Sequence, residues 1–268
     1  MRDIFYYEIA KLWPFCTMLY LSLQFVFPRV MRLLISENNK KWKWIHGTTR
    51  SGGKAAEYLS YLLISGGIVI FCSIIAVLKW SDIQTIPIEK RLYATIPEAQ
   101  LLGATMLSYQ VYNFILCFTL TKDCGKIENK LHHFTTALLS FFVLEKYVHY
   151  YAFFFVGIAE ITNIPLTLVD ACRAFPTLRS MIPTINTCGR LVFAISFFVI
   201  RIFWWPIVSY QFWVLTIDAL KTGRSHNIYV ALIFLVSNAG LTLLQFYWGI
   251  QLLGFVKSTL AAGSKKKD

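Results

Sequence analysis

A chain of 268 residues with 56% hydrophobic content, only 15% charged residues and a mean hydropathy of +0.55 is too apolar for a soluble domain, in which about a quarter of residues carry charge. Its net charge of +12 would suit nucleic acid, yet a bilayer accounts for charge and apolarity together, because basic loops orient inserted helices and attract anionic lipid. Soluble enzymes and nucleic-acid binding are set aside on these grounds.

Seven apolar stretches, at residues 12–27, 58–78, 100–120, 131–147, 150–169, 189–207 and 228–255, approach or exceed the roughly 20 residues that cross hydrocarbon as a helix. They predict an all-α polytopic membrane protein of about seven spans; strands of a barrel would alternate rather than run continuously. The first stretch is short and contains Pro14, so it stands between a span and an interfacial helix. After it comes a basic segment with Arg29, Arg32, Lys40, Lys41, Lys43, Arg50 and Lys54, in which Trp42 and Trp44 suit a headgroup anchor. Glu145, Lys146 and His149 predict a loop between the fourth and fifth stretches. In the sixth, Pro206 lacks a backbone donor and predicts a kink or an end.

With the N-terminus outside, segments 28–57, 121–130 and 170–190 and the tail lie in the cytoplasm and hold seventeen of the 26 basic residues. Asp3 and Glu8 beside the first stretch, with no small-residue cleavage site, argue against a removable leader. Cys16, Cys72 and Cys117 sit in apolar runs and Cys124, Cys172 and Cys188 on the reducing face; none forms a C-x-x-C pair, so packing is expected and no metal site. The chain reads as an N-terminal span with the start of the basic loop (1–40), one membrane domain (41–256) and a basic tail (257–268). The tail ends Lys265-Lys266-Lys267-Asp268. That ending resembles a di-lysine retrieval signal, which coat machinery reads on the cytoplasmic side.

A few polar groups lie where hydrocarbon should reject them, and such groups mark a cavity or an ion pair. His132 and His133 open the fourth stretch, with Thr135 and Thr136 a turn away; an imidazole there could act as base, as nucleophile toward a thioester or as metal ligand, or the pair could simply bond to neighbouring helices. Glu160 sits in the fifth stretch about 14 Å from its cytoplasmic end at 1.5 Å per residue, followed by Asn163 and Pro165. Arg201 reaches a similar depth in the sixth, so a Glu160–Arg201 pair is one reading, and Glu160 orienting an imidazole is the other. The third stretch offers Tyr109, Gln110, Tyr112 and Asn113, and the seventh Asn238, Gln245, Tyr247 and Trp248, either as interhelical glue or as pocket lining.

Taken in order, His132-His133, Glu160-Ile161-Thr162-Asn163-Ile164-Pro165, Phe197 to Arg201, and Leu244-Gln245-Phe246-Tyr247-Trp248 resemble the TLC domain. That family groups translocating-chain-associating membrane proteins, ceramide synthases and CLN-type proteins. The resemblance is closer to the TLC-domain-containing and CLN-like branch, because Ala159-Glu160 stands where ceramide synthases carry a His-Asp pair, and Asn113 and Asn163 stand at acidic positions. It implies six helices around a central cavity, preceded here by one span, and residence in the endoplasmic reticulum. It further implies handling of acyl-chain or sphingoid lipids, with His132, His133 and Glu160 as catalytic residues if acyl-CoA is a substrate. Tyr109, Asn113, Thr136, Asn163, Arg201, Gln245 and Trp248 would then line the lipid cavity. The alternative is a non-enzymatic cargo adaptor or accessory subunit with a protein partner in the membrane.

Overall fold

The computed structural model describes residues 8–39, 41–145 and 147–264, with side chains up to residue 257. Asp3, Lys40, Lys146 and the segment 265–268, with Lys265 and Lys266 of the expected retrieval signal, lie outside the described residues. Those described form helices and turns, with one isolated bridge between Thr48 and Lys54. We number the longer helices α1 (Trp13–Leu34), α2 (Ala55–Gln84), α3 (Pro97–Thr119), α4 (Ile127–Val143), α5 (His149–Phe155), α6 (Asn163–Ala174), α7 (Pro183–Phe197), α8 (Trp205–Lys221) and α9 (Ile228–Ser264).

Five helical stretches among the described residues are long and apolar enough to cross a bilayer: Ala55–Gln84, Pro97–Thr119, His149–Ala174, Pro183–Lys221 and Ile228–Lys257. Two of the seven expected spans fall outside that set for different reasons. Helix α1 includes Gln24, Arg29 and Arg32, which dilute its apolarity. Helix α4 has only 17 residues, about 25 Å of rise.

The chain divides into two compact units, Met1–Phe193 and Ala194–Asp268. In the first, α1 packs against both α2 and α3. Gln24 joins the three, its Nε2 donating to the Glu57 carbonyl at 2.8 Å and its Oε1 accepting from the Tyr112 hydroxyl at 2.7 Å. Toward the start of α1, the Ser108 hydroxyl donates to the Trp13 carbonyl at 2.9 Å. Pro14 is tolerated because it sits in the first turn, where the missing N–H has no intrahelical partner in any case. Helices α3 and α4 are the most closely packed pair. Gly103 permits this, since a Cβ there would stand 2.9 Å from Val143 Cγ1, and small residues let helices approach.

The corner after α4 falls where the polar window predicted a break, but His149 is fully buried. Its Nδ1 accepts the Ile96 N–H at 2.9 Å and its Nε2 donates to the Glu145 carbonyl at 2.6 Å. Val148, the one described non-glycine residue with positive φ (55°), donates its N–H to the Leu92 carbonyl at 3.0 Å.

The fifth stretch is not one regular helix. It runs as α5, a 3₁₀ segment at Ile158–Thr162, and α6. The break coincides with Gly157, where a Cβ would lie 2.4 Å from Ala76 Cβ on α2 and 2.6 Å from the Phe153 carbonyl oxygen. Close approach to α2 thus requires the glycine, and the backbone departs from regular geometry beside it.

In the sixth stretch, regular α-helix gives way just ahead of Pro206 to a π-helical segment, Phe198–Trp204. The Trp205 N–H reaches back to the Ile200 carbonyl, and the wider turn leaves room ahead of the proline ring. Within the second unit, α8 and the π segment pack on α9. Trp205 Nε1 donates to Thr242 Oγ1 at 2.9 Å, and Gly249 admits Ile202, whose Cδ1 would stand 2.8 Å from an added Cβ. Large apolar side chains such as Leu33, Leu78, Val236 and Leu243 stand exposed, as lipid-facing residues of a multi-pass membrane protein do.

Candidate functional site

Helix α4 begins at Ile127, with Glu128 in its first turn where the helix dipole favours a carboxylate. His132 and His133 therefore lie in the second turn rather than at the helix start. His133 Nδ1 is 2.6 Å from Gln110 Oε1 on α3, and the Gln110 amide nitrogen donates to Met106 Sδ at 3.2 Å. With the amide nitrogen engaged by sulfur, its oxygen accepts from imidazole Nδ1–H. The lone pair is left on Nε2, the nitrogen a general base or nucleophile would use. His132 stands edge-on to His133 at 5.4 Å between ring centroids. Both rings are half-buried.

The helices of the first unit also carry buried polar atoms. The Oγ atoms of Thr136 and Ser140 on α4 and of Ser73 on α2 are buried without a hydrogen-bond partner among the described residues, and the polar atoms of Ser65 on α2 and Asn113 on α3 are buried beside the Tyr109 hydroxyl. Asn113 is 1% exposed. Tyr109 lies one turn before it, close to Ser65 and Asn113 and within electrostatic reach of Glu160.

Glu160 sits in the 3₁₀ break and is 7% exposed. Its Oε2 accepts from Asn163 Nδ2 at 2.7 Å, and Cys72 on α2 and Tyr109 on α3 are its titratable neighbours. A discontinuous span with a carboxylate at its break is the arrangement in which irregular backbone is tolerated at membrane depth, where it faces protein or a cavity.

Of the residues expected in the site, Tyr109, Asn113, Thr136, His132, His133, Glu160 and Asn163 belong to the first unit. Arg201, Gln245 and Trp248 belong to the second. There, Arg201 Nη1 donates to Gln245 Oε1 at 3.3 Å and both side chains are buried. Gln245 Nε2 is buried without a hydrogen-bond partner among the described residues, and Trp248 is half-buried one turn beyond it. Gln110 was legible only as one polar residue among several; its three-residue offset from Asn113 gave no sign that it would hold the imidazole.

The fold is thus that of a polytopic α-helical membrane protein with an interior polar cluster. The family model for the TLC domain matches residues 54–254, and the chain belongs to that family of membrane lipid-related proteins. The match starts at Lys54, just before α2, takes in the histidines, Glu160, Arg201 and Gln245, and leaves α1 outside. No curated protein matches the chain, and no solved structure does.

Proposed function

We propose that the protein resides in the endoplasmic reticulum and binds or modifies acyl-chain or sphingoid lipids, thereby influencing membrane lipid composition. The observation that carries this reading is the tautomer of His133. Gln110 holds Nδ1–H and leaves the Nε2 lone pair for chemistry, and one turn on from these two residues Thr136 and Asn113 carry buried polar atoms that a lipid headgroup, amide or thioester could satisfy.

In the enzymatic version, Nε2 attacks the carbonyl carbon of acyl-CoA, the C–S bond breaks, and the sulfur leaves as the thiol with a proton supplied by protonated Glu160. The acyl group then passes from the imidazole to an incoming amine, whose proton is accepted by Glu160. Lipid binding without transfer uses the same residues and omits the covalent step. Residence is proposed from the likeness of Lys265-Lys266-Lys267-Asp268 to a di-lysine retrieval signal.

The test is mass spectrometry of lipids that copurify with the wild-type protein and with His133→Ala, followed by intact-mass analysis for an acyl adduct. A specific lipid or adduct present in the wild type and lost in a folded variant supports the reading. Identical, nonspecific lipid in both would leave the histidines as helix-packing groups and favour the adaptor or accessory-subunit alternative. Residence is tested separately by Lys265→Ala with Lys266→Ala, which should release the protein to later compartments.

A further inference from the structure

A cavity of about 330 Å³ lies among the ends of three helices, lined by Arg50, Ser51, Tyr58, Asp123, Arg173 and Ala174. Tyr58 belongs to the first turn of α2, Arg173 and Ala174 to the last turn of α6, and Asp123 to the Thr121–Cys124 turn that follows α3. All three helices belong to stretches long enough to cross a membrane, so the cavity stands at headgroup level. Trp44 packs on Phe175 at 4.6 Å between centroids beside it, as an interfacial anchor would.

The wall is a built structure. The Arg50 N–H donates to the Ala174 carbonyl at 2.9 Å, the Thr49 N–H to the Gly53 carbonyl at 2.8 Å, and Lys122 Nζ to the Gly52 carbonyl at 3.1 Å. Thr49 Oγ1 donates to Asp123 Oδ1 at 2.9 Å, whereas Asp123 Oδ2 is buried with no hydrogen-bond partner among the described residues. Charges of both signs therefore meet around one space. The Arg50 and Arg173 side chains are exposed, Arg173 pairing with Asp170 at 2.9 Å, whereas Asp123 is half-buried and Tyr58 buried.

Guanidinium groups recognise phosphate through charge-assisted hydrogen bonds, and a carboxylate beside an aromatic ring recognises an ammonium group. A simple anion would meet Asp123 with like charge, and a simple cation would meet the two arginines. We infer that this cavity binds a phosphate that carries a positively charged amine, the headgroup chemistry of a zwitterionic phospholipid. The cavity shares no residue with the His133 cluster, and its occupation does not require catalysis.

The full-length protein in neutral detergent is titrated with short-chain dihexanoyl lipids, dihexanoylphosphatidylethanolamine against dihexanoylphosphatidylglycerol, and with phosphoethanolamine and inorganic phosphate. The ethanolamine lipid is expected to bind about tenfold more tightly than the glycerol lipid. Arg50→Ala and Arg173→Ala should each weaken it about tenfold, in keeping with loss of one charged hydrogen bond. Asp123→Asn keeps an acceptor for Thr49, so the fold survives, and it should narrow the gap between the two lipids.

His133→Ala should bind the ethanolamine lipid as the wild type does, which separates failure here from failure at the histidines. Equal or tighter binding of the glycerol lipid, or folded arginine variants that bind like the wild type, would overturn the assignment. So would inorganic phosphate competing as well as the ethanolamine lipid. Phosphoethanolamine distinguishes the sources: binding far weaker than the lipid's supports a lipid headgroup, and equal binding overturns the lipid source in favour of a soluble one.

Discussion

His133 depends on a neutral amide for its orientation, and that dependence can be measured. Gln110→Leu strands the Nδ1–H in a half-buried site, a loss of about 1–3 kcal/mol. The expected result is a lowered unfolding midpoint and a mixture of tautomers in the ¹⁵N spectrum of the His133 imidazole. Gln110→Glu keeps an acceptor and should retain the single tautomer. Gly53 offers a second case, because a Cβ there would overlap Asp123 Oδ2 at 2.0 Å. Gly53→Ala should push Asp123 off Thr49 and destabilise by about 1–3 kcal/mol. Adding Asp123→Ala should recover part of that loss, the non-additivity expected of residues in contact. Cys124, in the turn outside the spans, is buried, and burial pushes its thiol up. Unfolding returns the thiol to about 8.5, so the stability this group contributes is present below that pH and lost as pH rises above it. N-ethylmaleimide at neutral pH should label exposed Cys188 and spare Cys124 until the protein unfolds. The double histidine and Glu160 were legible in the sequence because ionisable groups in apolar runs are conspicuous; Gln110, Thr49 and Gly53 were not, since each matters through a partner distant in the chain.

Length and apolarity located the elements, and local backbone geometry escaped them. The fifth stretch reads as one continuous run, yet it breaks at Gly157 because α2 comes too close for a side chain. That contact involves Ala76, some eighty residues earlier, and no periodicity reports it. Gly157→Ala forces a Cβ against backbone as well as side chain. It should lower the unfolding midpoint, with a larger effect than Gly240→Ala, where a Cβ meets nothing within 4 Å. The comparison checks both, because each substitution adds the same methyl group. At Pro206 the local rule predicted an interruption, and regular α-helical geometry does give way to the π segment just ahead of it, a form the rule does not specify. On the same unit, Thr242→Val deletes the acceptor of Trp205 Nε1, at a cost of about 1–3 kcal/mol for the stranded donor, readable as a shift in thermal unfolding.

At the scale of the whole molecule, an all-helical multi-pass protein was legible from apolar length alone, and the ordered motifs pointed to the TLC domain that the family match bears out over residues 54–254. Span counting was coarser. Helix α1 joins α2 and α3 through Gln24 despite its basic end, and α4 packs along α3 while remaining short. The corner between α4 and α5 bears on how such a chain is made. Residues 92–96 leave the ribosome well before residues 148 and 149, so the Leu92 carbonyl and the Ile96 N–H are already present when Val148 and His149 arrive to pair with them. The corner lies at the ends of α3 and α5, so water or headgroups serve these two backbone groups until their partners are made. A nascent chain halted at residue 147 carries α3 and α4 with two backbone groups still open, and two further residues close them.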